Sequence, residues 1–354
     1  MKAERFRSGS AAFDALGLRL PLLQAPMAGV STPELAAAVS EAGALGAVAL
    51  GAGDALAADR TLAALARLTR RPVNANVFVH APPWRDPVQE AAWLAVLTPR
   101  FEAFGASAPS ALRCPYRSFL DDPDLLGVLT EHRPAVVSFH FGVPGATQVD
   151  ALHQAGCLLL ATATTLEEGR QLAAAGVDLL VAQGREAGGH HGTFDPETDA
   201  AWPLESLVRA LLRELDLPVI AAGGLMDGRD LARVRSWGAI AGQFGTAFVC
   251  AEESAAAPAH RTALSTPGAR TAITAAISGR PARGLCNGWM DVDDGAVPTY
   301  PVAYDAGRAL AAAAAAAGSD AFSVRWAGTG AGRGRILPAA TLLACLEAEW
   351  RASA

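Results

Sequence analysis

"LPVIAAGGLMDGRDLARVRSWGAIAGQFGTAFV", Leu217–Val249, holds two short apolar runs separated by a helical pattern. The first run, Leu217–Gly224, ends in paired glycines, and the second, Ala239–Val249, passes through Gln243-Phe244-Gly245-Thr246. Both are almost continuously apolar, as parallel strands buried on both faces should be. Between them, Met226–Gly238 carries an early aspartate and a closing glycine, the punctuation of a helix. The stretch therefore predicts one strand–helix–strand unit.

Working outward, the same alternation recurs. Strands are expected near 20–29, 46–51, 72–79, 135–142, 157–164 and 177–184, with helices such as 31–43 and 164–176 between them. Eight strands, each followed by a helical stretch, predict an α/β fold of the (β/α)8 TIM barrel type. An open doubly wound sheet would want a glycine-rich first turn, and "APMAGVS" (25–31) is not one. Residues 80–134 exceed one loop and helix, so an insertion is expected after strand 3. The expected division is a barrel over 1–250, a helical substrate cap over 251–335 and a C-terminal helix over 336–354.

The 354 residues, half of them hydrophobic, are ample for a large core. A net charge of −6 with no basic run argues against nucleic acid and anionic membranes as partners. Lys2 is the only lysine, which excludes a Schiff base formed inside the barrel. The five cysteines are scattered without a CxxC, and "MKAERFRSGSAAF" has no apolar signal core. Free, mostly buried thiols in a reducing cytoplasm are expected. No 18-residue apolar run stands free of turn signals.

In such a barrel the chemistry sits at the C-terminal ends of the strands. Gly223-Gly224 and Gly245-Thr246 fall there on adjacent strands, where glycine lets backbone N–H groups approach an anion. They form either a phosphate site or merely two tight turns. "EAGGHHGTF" (186–194) follows the sixth strand and spends two of seven histidines on one loop. Neighbours in extended chain point to opposite sides, so His190 and His191 should not share one substrate. A histidine there is either a general base or a loop residue bonded to a carbonyl. Met27 is expected to fill space beside a cofactor. His140, ending strand 4, and Trp326 are candidates for the pocket wall, while His132, His153 and His260 are expected to be solvated.

The set "PLLQAPMAGVSTPELAAAVSEAGALG" (21–46), "NVFV" (76–79), "AQGREAGGHHG" (182–192), "PVIAAGGLMDGRDLARVRSWGA" (218–239), "GQFGTAFV" (242–249), "SGRPARGL" (278–285) and "WAGTGAG" (326–332) resembles the nitronate monooxygenase family. The resemblance implies an FMN-dependent TIM barrel that converts alkyl nitronates or nitroalkanes with O2 to a carbonyl compound and nitrite. Carried over by motif, it implies FMN contacts at Asn76, Gln183, Gly188, Gly224, Gln243, Phe244, Gly245 and Thr246, with His190 as catalytic base. The chain departs from the pattern at His191, where relatives often have arginine, and at Ile277, where they tend to have an aromatic residue. His191 is left as a structural or rim residue of the substrate pocket. A monomer or homodimer is expected, and no metal. Rival readings are a flavin-dependent enoyl-thioester reductase, an NADH:quinone reductase on the same barrel, and a metal-dependent barrel hydrolase.

Overall fold

The computed structural model describes residues 9–353. In chain order the strands are β1 (Leu22–Gln24), β2 (Gly46–Ala49), β3 (Val73–Phe78), β4 (Val136–His140), β5 (Leu158–Ala163), β6 (Leu179–Gln183), β7 (Gly189–His190), β8 (Val219–Ala222), β9 (Ala241–Phe244), β10 (Thr271–Thr274) and β11 (Ala282–Leu285). Eight form one parallel sheet in the order β1-β9-β8-β6-β5-β4-β3-β2, so each of the eight expected strands is present. A bridge between Leu23 and Leu45 joins β1 to the start of β2 and brings the sheet round into a barrel. The Gln24 amide strengthens that seam. Its Oε1 accepts from Ala47 N–H at 2.9 Å, and its Nε2 donates to Ala47 O at 3.1 Å.

Alternation along the strands sorts side chains between barrel interior and helix layer. Leu23, Val136, Leu160, Leu179, Val181, Ile220 and Ala241 fill the interior, with Phe13 among them. Val137, Ala161, Leu180, Ala221 and Phe244 join the core shared with the helices. Each such Leu, Ile, Val or Phe burial contributes about 1.5–3 kcal/mol. The inward face turns polar toward the C-terminal ends. Asn76, Ser138, Thr162, Gln183 and Gln243 stand there, the last four each two residues beyond an interior apolar residue.

The helices begin where the sequence supplies caps. Thr32 Oγ1 accepts from Leu35 N–H ahead of the helix Pro33–Glu41, which has proline in its first turn. Thr165 with Glu168, and Asp227 with Asp230, form capping boxes. The C-terminal helix Ala339–Arg351 does not stand apart from the barrel. Leu342, Leu343 and Leu346 enter the main core, and Gly228 lets the backbones touch: a Cβ there would lie 2.2 Å from Leu346 O. The C-terminal helix packs beside Pro33–Glu41 and Gly228–Ser236, completing the outer ring.

The stretch 80–134 divides in two. Its last helix, Pro123–His132, packs in the outer ring against Ala55–Leu68. The helix Pro87–Ala103 instead joins the C-terminal segment: Trp93, Leu97 and Phe101 share a core with Ile277, Trp289, Val302, Leu310 and Phe322. The segment after 250 contains β10 and β11 as well as helices, so the cap is a mixed structure. Among the described residues no helix is long and apolar enough to cross a membrane. Cys157 and Cys250 are buried, Cys345 is half-buried, and Cys114 and Cys286 are exposed, so the free thiols are less buried than expected.

Candidate active site

A cavity of about 700 Å³ opens at the C-terminal ends of the strands. That falls in the roughly 300–1,000 Å³ range of small-molecule and cofactor sites. Asn76, Ser138, Thr162, Gln183 and Gln243 line it from the strand ends. Asn76 Nδ2 donates to Ser138 Oγ at 3.0 Å and to Ser138 O at 3.1 Å. The Gln243 side chain has no protein hydrogen bond among the described residues and is free to meet a ligand.

One wall is backbone. Gly223 and Gly224 have φ of +138° and +70°, a region that favours glycine. A Cβ on Gly224 would stand 2.9 Å from Thr329 Oγ1, and one on Gly188 would stand 2.4 Å from Gly328 N. Gly328 N–H donates to Thr246 Oγ1 at 2.9 Å, and Thr329 N–H donates to Glu186 O at 2.9 Å. The segment 326–330 from the cap thus closes against three strand-end glycine stretches. Small residues and close-set backbone make a cradle in which an anionic group could be held by N–H donors. Met27 lines the cavity beside this wall, while Phe244 is fully buried in the helix-side core and does not line it.

The opposite wall is aromatic and centres on His190. Its two-residue strand β7 pairs antiparallel with β11, with Ala282 opposite His190. The His190 carbonyl accepts from Gln183 Nε2 at 3.1 Å and lies 3.2 Å from His140 Nε2. Gln183 Oε1 also accepts from Gly192 N–H at 2.6 Å, so this side chain spans the histidine loop. His190 Nε2 is 2.8 Å from Ser278 Oγ. The rings of Trp326, Tyr300, Phe141 and Tyr304 lie 5.1, 5.6, 5.8 and 6.1 Å from the imidazole.

Burial here disfavours charge. It pushes His190 down to about 3, helped by the neighbouring His140, Arg280 and His191. His140 is pushed down to about 4, again by burial, despite its bond to the His190 carbonyl. Both imidazoles are therefore neutral near pH 7.

The two adjacent histidines part ways. His190 lines the cavity, whereas His191 is 2% exposed, lies outside the lining, and sits 2.6 Å from Asp199 Oδ2 through Nδ1. His140 and Trp326 both line the cavity. His260, expected to be solvated, is buried on the helix Pro258–Ser265, lines the cavity and bonds the Trp326 carbonyl at 3.2 Å. His132 and His153 pair with Asp59 and Asp178. Residues beyond the expected set also line the site: Phe78, Tyr116, Phe141, Tyr300, Tyr304 and Arg308. Tyr304 and Arg308 are four apart on the helix Val302–Ala316, a usable signal, whereas Tyr300 precedes that helix. Among the described residues no group of three His, Cys, Asp or Glu is placed to hold a metal ion.

A family model described as nitronate monooxygenase matches residues 10–349. The chain is 52% identical over 344 residues to a nitronate monooxygenase of Pseudomonas aeruginosa, covering 95% of this chain and 97% of that one. It is 49% identical over 346 residues to a nitronate monooxygenase of Paraburkholderia phytofirmans, covering 96% and 94%. Among solved structures it is similar to a nitroalkane oxidase from Streptomyces ansochromogenes, with a TM-score of 0.88, 40% identity and coverage of 97% and 98%. FabK from Thermotoga maritima is similar at a TM-score of 0.74 and 27% identity, covering 96% and 95%.

Proposed function

The chain belongs to the nitronate monooxygenase family, and we propose that it oxidises alkyl nitronates with O2 to a carbonyl compound and nitrite, using FMN bound in the barrel-end cavity. One observation carries the reading of the site: a neutral imidazole, His190, lines the same cavity as the glycine cradle. The cradle suits a single phosphate, and no dinucleotide fingerprint accompanies it. Gly223, Gly224, Gly245 and Thr246 would hold that phosphate. Met27, Asn76, Gln183, Gly188 and Gln243 would meet the rest of the cofactor. Bound flavin supplies an electron acceptor for the substrate and an electron donor for O2.

The protein's part is orientation, exclusion of water and control of charge. A nitronate is already deprotonated and anionic. Ser278 Oγ accepts from Arg280 N–H at 3.3 Å and lies 2.8 Å from His190 Nε2 and 3.4 Å from Arg280 O, either of which its proton can reach. When Ser278 donates to Nε2, the ring N–H is on Nδ1, where it can hydrogen-bond to a nitronate oxygen. A base role toward neutral nitroalkanes is the harder task. A ring whose charged form is disfavoured down to about 3 is a weak base and holds an abstracted proton poorly, though its neutral N–H still donates a hydrogen bond. His190 is therefore proposed to act first on the nitronate, as a neutral donor and orienting group. A cytoplasmic setting, as monomer or homodimer, completes the proposal.

The test is direct. The purified protein should be yellow, release FMN on denaturation, and couple O2 uptake to nitrite release when given a pre-formed alkyl nitronate. Bleaching of the flavin by NADH or NADPH without oxygen, with no response to nitronates, would favour a reductase instead. Release of FAD would remove the single-phosphate assignment.

A further inference from the structure

Behind the aromatic wall lies a buried cation with no carboxylate in direct contact among the described residues, Asp195 and Glu168 favouring its charge from further away. Arg280 is 4% exposed and makes no ion pair among the described residues. Its guanidinium donates to the carbonyls of Thr193 at 2.6 Å and Phe194 at 3.4 Å, while its Nε is buried without a partner. It lies 4.6 Å from the ring centre of Phe141 and 5.5 Å from that of Tyr300. Burial lowers it to about 10, so it stays charged at neutral pH. A buried charge without a contacting counter-ion is costly; its two carbonyls, its two ring faces and the more distant Asp195 and Glu168 offset that cost.

Those contacts converge on His190 along two routes. The first is the loop. Phe194 is held from both sides, its N–H by Glu168 Oε1 at 2.8 Å and its carbonyl by Arg280. Together with Gln183 and His140 on the His190 carbonyl, this pins the chain just after the imidazole. The second is Phe141. Its φ of +81° is unusual for a bulky residue and persists only where the surroundings enforce it. Arg280 covers this ring, whose plane meets that of His190 at 89°.

Resting on the reading that His190 acts on the substrate, we infer that Arg280 is a positioning residue for His190, its guanidinium locking the Thr193–Phe194 backbone and the Phe141 ring that set the imidazole's place. The planar fork is what does this; a point charge on a flexible stem cannot bond two carbonyls and stack on two rings at once.

A double-mutant cycle on the flavin-loaded enzyme tests it, with nitrite release from a pre-formed nitronate measured per bound flavin. Arg280→Met is expected to lower turnover on the order of 10²-fold, because small misplacements of a working group cost that much. In the His190→Asn chain the same change should cost less than about 2-fold, since the group being positioned is gone. Equal losses in both backgrounds would overturn the inference. Arg280→Lys keeps the charge and lacks the fork; it should resemble Arg280→Met, and full activity in it would also overturn the inference. Should the methionine chain fail to fold, Arg280→Lys carries the same cycle. If His190→Asn alone retains full turnover, the reading of His190 fails first, and the inference falls with it.

Discussion

At one end of the cavity, Gly223, Gly224, Gly245 and Thr246 come from the ends of two adjacent strands, and backbone does most of the work. At the other, His190, Tyr300, Tyr304 and Trp326 come from segments far apart in the chain, and side chains do the work. The strand-end glycines are placed by the barrel ladder of β8 and β9, with segment 326–330 closing over them. The aromatic end depends on the cap, through β7 pairing with β11 and Ser278 reaching His190. The first arrangement suits a constant cofactor, the second a variable substrate.

The contrast can be broken at either end. The largest effect is expected from Gly224→Val. Its φ of +70° strains any branched residue, and a Cβ would stand 2.9 Å from Thr329 Oγ1. The backbone strain should cost about 1–3 kcal/mol, which a barrel of this size survives. Flavin absorbance per chain should fall to background while circular dichroism is retained. Full occupancy would move the phosphate elsewhere.

Acid should act on the aromatic end. His140, His190 and His260 are lowered to about 4, 3 and 4 against an unfolded value of 6.5. Their contribution is fully present above pH 6.5; as pH falls through 6.5 toward 3, the unfolded chain binds protons first and stability declines. Denaturant melts at pH 7 and pH 4.5 should differ by about 6 kcal/mol, on the order of one per pKa unit for each of the three histidines over about two units. His140→Gln should flatten part of that slope. An unchanged slope would mean that burial is not what holds this imidazole neutral.

Ser278→Ala should be milder. Removing the hydroxyl leaves His190 Nε2 unpaired in a buried setting, worth about 1–3 kcal/mol, and frees the tautomer. Nitrite release is expected to drop roughly 10-fold, the equivalent of about 1.4 kcal/mol, with flavin content unchanged. The smallest effect on turnover belongs to His191→Asn. It breaks the 2.6 Å contact to Asp199 outside the cavity and should register in the melting temperature before it registers in the rate.

The same contrast explains how much the sequence revealed. The eight barrel strands were legible because each is a short apolar run with glycine or proline punctuation, a purely local signal. The cradle glycines were legible for the same reason. Of the polar residues at the strand ends, Asn76, Gln183 and Gln243 came from the family resemblance, while Ser138 and Thr162 were not singled out. Phe244 was implied by the same motif, but alternation beside Gln243 turns its ring to the helix layer. The aromatic wall was harder to see, because Tyr300 and Tyr304 reach His190 only through the fold of the cap. The C-terminal helix was recognised as a helix, but its place in the outer ring depends on Gly228 lying under Leu346, a contact between distant segments.

Division of labour between the two ends is the central claim, and His190→Asn tests it most directly. Flavin content and nitrite release from a saturating pre-formed nitronate would be measured on the same preparation. The account predicts full flavin occupancy with nitrite release per flavin lowered by about 10²-fold or more, in the range typical of a group acting on the reacting atoms. Loss of flavin in step with activity, or undiminished nitrite release from the flavin-loaded variant, would contradict it.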